Sequence, residues 1–189
     1  MEKKILFLGY SKSHIINFLT RKGHEVVNTS EIVQDLSKYD LTISFGYKHI
    51  LSREILESAP YVPINLHISL LPYNRGAHPN FWAHYDGTPS GVTIHCIDEG
   101  IDTGNLILQK EVLFDFEMAT FRNRWNYLNL EIEKMFIENY EYLISQNYDT
   151  IAYESVGTFH KKSDLPSEFG GWDCEIQSEI NRLKSFKST

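Results

Sequence analysis

Cysteine is scarce in this chain of 189 residues: there are two, Cys96 and Cys174, far apart and without metal-ligand spacing. That excludes a disulfide framework and reads as free thiols in a reducing cytosol. Basic charge is also short, with 18 Lys and Arg against 25 Asp and Glu and a net charge of −7. A broad nucleic-acid footprint needs the opposite balance, so no nucleic-acid partner is expected. A small nucleotide needs only one or two local cations and stays open. Long apolar runs are missing. The start, "MEKKILFLGYSKSH", holds only Ile5–Leu8 as a continuous apolar stretch. That is too short for a leader segment or a membrane span, so a cytoplasmic protein without a membrane partner is expected. "GYSKS", at 9–13, lacks the second and third glycines of a dinucleotide fingerprint. His67, His78, His84 and His95 lie close in sequence but match no metal-ligand spacing, so no metal is expected. No internal repeat or low-complexity segment is visible.

What is present is enough for one α/β domain. Hydrophobic residues make up 42% and charged residues 23%, which allows a real core. "KKILFLG" reads as a buried strand ending in glycine. "SHIINFLTRKG" follows as a helix with Gly23 behind it. "EVVNTS" is a strand, "SEIVQDLSKYD" a short helix opened by Ser30, and "LTISFGY" a strand. "SREILESA" is a helix capped by Ser52, and "PINLHIS" is a strand. Alternating strands and helices predict a mostly parallel, Rossmann-like sheet with helices on both faces. Ligands in such sheets bind at the carboxyl ends of the strands. Pro79 opens a further helix after His78. "GVTIHCID" and "GNLILQKEVLF" are strands. Residues 119–145 carry one apolar stripe, which predicts a single amphipathic helix of roughly 25 residues. The domain is read as 1–148, with a C-terminal extension over 149–189 whose Tyr153, Phe159, Phe169 and Trp172 offer apolar material for a homodimer contact.

Alternation along "INLHIS" puts Asn65 and His67 on one face of a strand, near its end. An amide can polarise a carbonyl, and an imidazole can hold or move a proton near neutral pH. Asp102, in "DEGIDTG", sits on a turn between glycines and is the third candidate. An aspartate beside an imidazole orients it and favours its charged form.

"INLHISLLPYNRGAHPNFW" followed by "GVTIHCIDEGIDTGNLI" resembles the signature of the folate-dependent formyltransferases: Asn-x-His, Ser-Leu-Leu-Pro, a glycine-containing loop, then Asp-x-Gly-x-Asp-x-Gly. The resemblance runs over roughly residues 1–145. "LLPYNRGAHPNFWA", with "GTFHKKSDL" and "GWD" in the tail, is similar to the branch that formylates nucleotide-linked amino sugars, usually a dTDP-4-amino-4,6-dideoxy hexose such as the glucose derivative. One departure is Ile68, where the family usually has proline.

The resemblance implies N10-formyltetrahydrofolate as formyl donor and no metal. It gives the catalytic roles to Asn65, a protonated His67 and Asp102, with Asp102 accepting the amine proton. It places the folate against Ile50 and Leu51 and along the turn of Ile97, Asp98, Glu99, Gly100 and Ile101. The nucleotide sugar would lie over Tyr73, Arg75, Gly76, His78, Asn80 and Trp82, with Ser11 and Lys12 at a helix N-terminus as a diphosphate site. The natural role is surface-glycan synthesis, such as lipopolysaccharide O-antigen. A glycinamide ribonucleotide or other small-amine formyltransferase is the alternative within the family. A formyl-folate hydrolase, a metal hydrolase and a non-catalytic nucleotide-sugar binding domain are the alternatives outside it.

Overall fold

The computed structural model describes residues 1–114, 119–153 and 157–187. Six strands form the main sheet: β1 (Lys4–Gly9), β2 (Glu25–Thr29), β3 (Leu41–Phe45), β4 (Ile64–His67), β6 (Gly91–Cys96) and β7 (Leu106–Glu111). Their spatial order is β2-β1-β3-β4-β6-β7. The first four run parallel, and β6 runs antiparallel to both of its neighbours. A small second sheet pairs β5 (Arg75–Gly76) with β8 (Phe159–His160) in parallel. The helices are α1 (His14–Arg21), α2 (Arg53–Ser58), α3 (Pro79–Asp86), α4 (Phe121–Glu138), α5 (Tyr140–Ser145) and α6 (Ile176–Lys187).

The period of two in a strand divides the opening apolar run between two cores. Ile5 and Phe7 face Ile15 and Leu19 of α1 and Leu128, Ile132 and Phe136 of α4. Leu6 and Leu8 face the other way, onto Leu36, Tyr39, Leu51 and the α2 residues Ile55 and Leu56. A third cluster ties the tail to the body: Phe81, Trp82 and Tyr85 of α3 and Phe121 of α4 pack against Ile176, Ile180 and Leu183 of α6, with Phe169 and Trp172 alongside.

Two sequence expectations fail here. Residues 30–40 form no helix. The amide of Leu36 donates to Ser58 Oγ at 2.8 Å and that of Val33 to the Tyr47 hydroxyl at 3.3 Å. Neighbouring side chains thus satisfy amides that a helix would have used. The long helix is also two helices. Asn139, at φ −106° and ψ 19°, interrupts it, and its side-chain amide bonds the Met135 carbonyl at 2.8 Å. An asparagine that bonds its own backbone competes with helix continuation. Of the segment "DTIAYES", Ile151 makes one bridge to Leu106, and residues 154–156 lie outside the described ones.

Candidate active site

β4 ends at the mouth of the sheet, and the register of its pairing builds the site. Asn65 lies opposite His95 of β6, so Asn65, His67 and His95 share one face. Asp102 comes to the same face from the turn after β6, in the left-handed conformation at φ +52°. Its Oδ1 accepts from Asn65 Nδ2 at 3.1 Å, and its Oδ2 accepts from the Gly76 amide at 2.8 Å. His67 Nδ1 is 3.6 Å and His95 Nε2 3.4 Å from Asp102 Oδ1.

Hydrogen-bond partners assign the tautomers. His95 Nδ1 lies 2.7 Å from the Cys96 carbonyl, which can only accept, so the proton sits on Nδ1. Nε2 is then the acceptor for Asn65 Nδ2 at 3.1 Å. Both N–H groups of Asn65 are engaged, one to His95 and one to Asp102. His67 Nε2 lies 3.2 Å from the Asn74 carbonyl and carries its proton there. Its Nδ1 faces Asp102.

Burial pushes the His67 pKa below the ordinary histidine value, His95 adds to this, and Asp102 and the Asn74 carbonyl offset it in part. Burial would raise the Asp102 carboxyl, but positive charge on the neighbouring His67, with His95 and the Gly76 amide, favours its anion and holds it well below the usual carboxylate range.

These groups line a cavity of about 960 Å³. Its walls also hold Tyr47, Ile50, Leu51, Ile97, Asp98 and Ile101, and His78, Asn80, Phe121, Trp125, His160 and Trp172. Among the described residues no helix is long and apolar enough to cross a membrane, and no cluster of three or more His, Cys, Asp or Glu could hold a metal ion.

A family model described as "Formyl transferase" matches residues 13–129 of this chain, more than half its length. The chain belongs to the formyl transferase family. Its fold aligns with the formyltransferase PseJ from Anoxybacillus kamchatkensis at a TM-score of 0.86 and 36% identity, covering 95% of this chain and 98% of that one. That structure is a complex with UDP-4,6-dideoxy-4-formamido-L-AltNAc and tetrahydrofolate. A 4-N formyltransferase from Francisella tularensis shares the fold at a TM-score of 0.74 and 22% identity, over 86% of this chain and 77% of that one. The methionyl-tRNA formyltransferase of Thermodesulfovibrio yellowstonii is 48% identical over 79 residues, 41% of this chain. The match takes in 26% of that relative, so the chain spans about a quarter of its length.

Not every residue singled out in the sequence reaches the cavity. Asn65, His67 and Asp102 converge. Ile50, Leu51, Ile97, Asp98, Gly100 and Ile101 line it, as do Gly76, His78 and Asn80. Leu51 is a buried wall, whereas Ile50 is 71% exposed at the rim. The Asp98 carboxylate is occupied by Thr103 Oγ1 at 2.6 Å and the Gly100 amide at 3.0 Å, which shapes the turn. Glu99 borders a separate hollow.

Tyr73, Arg75 and Trp82 are absent from the lining, and Trp82 is buried with its ring stacked on His160 at 3.8 Å. Ser11 and Lys12 are exposed and also stand outside it. The α1 N-terminus they adjoin is already filled: Glu133 Oε1 accepts from Ser13 Oγ at 2.6 Å and from the His14 amide at 3.0 Å. The residues that sequence reasoning missed are His95, visible there only as one of several histidines, and the aromatic and basic side chains of α4 and the tail.

Proposed function

We propose that this protein moves a formyl group from N10-formyltetrahydrofolate to the amine of a nucleotide-linked amino sugar. UDP takes the place of dTDP in this proposal, and the sugar is a 4-amino-4,6-dideoxy hexose. The reading is carried by one observation: Asn65, His67, His95 and Asp102 converge in the wall of one cavity. The full-length likeness to PseJ, whose complex contains a UDP-linked 4-formamido sugar and tetrahydrofolate, supports the choice of acceptor and donor. The lining residues Ile50, Leu51, Ile97, Asp98, Gly100 and Ile101 suit the folate. Trp125, Trp172, His160, Lys161 and Lys162, also in the lining, suit an aromatic base and a diphosphate.

The acceptor nitrogen attacks the formyl carbon, and the carbonyl electron pair moves onto oxygen. That oxyanion draws the Asn65 N–H away from His95 Nε2, because a charged acceptor makes the stronger bond. The attacking nitrogen loses its proton to His67 Nδ1. In this proposal His67 rather than Asp102 takes the amine proton, and Asp102 stabilises the imidazolium formed beside it. The carbonyl re-forms, the bond to folate N10 breaks, and N10 takes the proton. Binding both substrates in line contributes much of the rate. The reaction belongs in a reducing cytoplasm, in keeping with two free cysteines.

The test is turnover of N10-formyltetrahydrofolate with UDP- and dTDP-linked amino sugars, followed by sugar mass and folate absorbance. The expected result is formylation of a UDP-linked 4-amino sugar, reduced about a hundredfold or more in Asn65→Ala and His67→Ala. Folate cleavage without an acceptor would mean a hydrolase, and formylation of methionyl-tRNA instead would move the acceptor to that of the curated relatives.

A further inference from the structure

We propose that the tail segment around Tyr153 and Thr158 positions the catalytic His67 and Asp102, making the last part of the chain a working part of the site. The inference rests on the formyl-transfer reading for its kinetic consequence, but its structural part stands on hydrogen bonds alone.

His67 and Asp102 are both held by the loop 73–77. The Asn74 carbonyl fixes the Nε2–H tautomer of His67, and the Gly76 amide fixes Asp102 Oδ2. That loop is under backbone constraint, with Asn74 at φ +56° and Gly76 at φ +86°. A non-glycine residue in this region needs local bonds to hold it. The tail supplies them. Thr158 Oγ1 accepts from the Asn74 amide at 2.7 Å and donates to Asn74 Oδ1 at 3.0 Å. The Thr158 carbonyl accepts from the Arg75 amide at 3.0 Å, and the His160 carbonyl accepts from the Ala77 amide at 2.9 Å.

The fit is close. A Cβ on Gly76 would stand 2.3 Å from the His160 carbonyl oxygen, and one on Gly157 would stand 2.0 Å from that of Pro72. A second tail contact reaches Asp102 from its other side. The Tyr153 hydroxyl donates to the Asp102 main-chain carbonyl at 2.5 Å. Burial, with Asp102 and Asp98 adding to it against Arg75, pushes the Tyr153 pKa up to about 12, so the hydroxyl stays a donor. Asp102 itself is left-handed at φ +52°. Two constrained residues thus each take a side-chain hydroxyl from the same stretch of tail.

Neither Tyr153 nor Thr158 lines the cavity, so both are positioning residues. The test compares Thr158→Val, which keeps shape and removes both hydroxyl bonds, with Thr158→Ser, which keeps the hydroxyl, and Tyr153→Phe. Two readouts are taken on the full chain. The first is the nitrogen-15 spectrum and titration midpoint of His67, assigned by difference from His67→Gln. In Thr158→Val, loss of the Asn74 acceptor should lower the midpoint by about half a unit or more and mix the tautomers, with Asp102 and His95 still facing the ring. Thr158→Ser should restore the native signal. The second is formyl transfer to the UDP-linked amino sugar. Thr158→Val and Tyr153→Phe should lose about 10- to 100-fold in kcat, with KM for both substrates little changed.

Unchanged His67 signals and unchanged kcat in folded Thr158→Val and Tyr153→Phe would overturn the proposal. So would losses that Thr158→Ser fails to repair. If Thr158→Val does not fold, Thr158→Ser and Tyr153→Phe decide by the same readouts. If the native protein shows no turnover, the formyl-transfer reading fails, and the His67 spectrum alone decides the positioning role.

Discussion

Asn65 and His67 were legible as a pair because strand periodicity alone places them on one face. His95 was not, because its place beside Asn65 depends on the antiparallel register of β4 with β6, which no local pattern encodes. The charge states were equally hidden. An aspartate near a histidine suggests an ion pair, and only burial tells which partner yields. Asp102→Asn tests that balance. Removing the anion takes away the group that favours the His67 imidazolium, so the His67 midpoint should fall further below its native value. Formyl transfer should drop about a hundredfold or more, since the imidazolium formed in the reaction loses its stabilising partner. The NMR titration and the kcat of one variant check both parts.

At the scale of elements, α1 shows how a familiar motif can mislead. A glycine-ended strand followed by Ser and Lys before a helix reads as a phosphate site. Here the chain supplies its own anion, Glu133 from α4, with its other oxygen 2.8 Å from His14 Nδ1. The carboxylate comes from 120 positions away, so nothing near Ser13 announces it. Glu133→Ala should cost about 2–4 kcal/mol in urea denaturation, because it strands the buried Ser13 hydroxyl and frees the His14 amide. Glu133 lies outside the cavity, so kcat should hold at temperatures where the variant is folded. The six main-sheet strands and most helices were readable because each carries a short apolar run, an alternation of two or a period near 3.6. Residues 30–40 and the break at Asn139 were not, since side-chain bonds from elsewhere, or a local asparagine bond, outweighed the apolar spacing.

At the scale of the molecule, histidine burial sets the pH response. His24, His67, His78 and His84 all have lowered pKa values, with burial the largest cause in each. For His84 the value falls to about 4, with Arg124 adding to the effect of burial. The folded state binds these protons less well than the unfolded chain. Their stabilising share is therefore complete above the unfolded histidine value near 6.5 and shrinks as pH falls below it. The melting temperature should decline steadily from pH 7 to pH 5. His84→Gln should flatten that decline, removing about 1.4 kcal/mol for each pH unit in the window. An unchanged slope in differential scanning calorimetry would refute the assignment. The role of 149–189 was not legible in the sequence. Phe169 and Trp172, which looked available for a subunit contact, are spent on the chain's own α3 and α4.

The bond between Thr158 and Asn74 joins residues 84 positions apart, and β8 cannot pair with β5 before both exist. A ribosome adding about 5–20 residues each second needs roughly 4–17 s to cover that interval. Before that time ends the six main-sheet strands have been made, but the loop behind His67 still has no brace. On the positioning proposal, the nascent chain therefore acquires its reactive geometry late, after residue 160 has emerged.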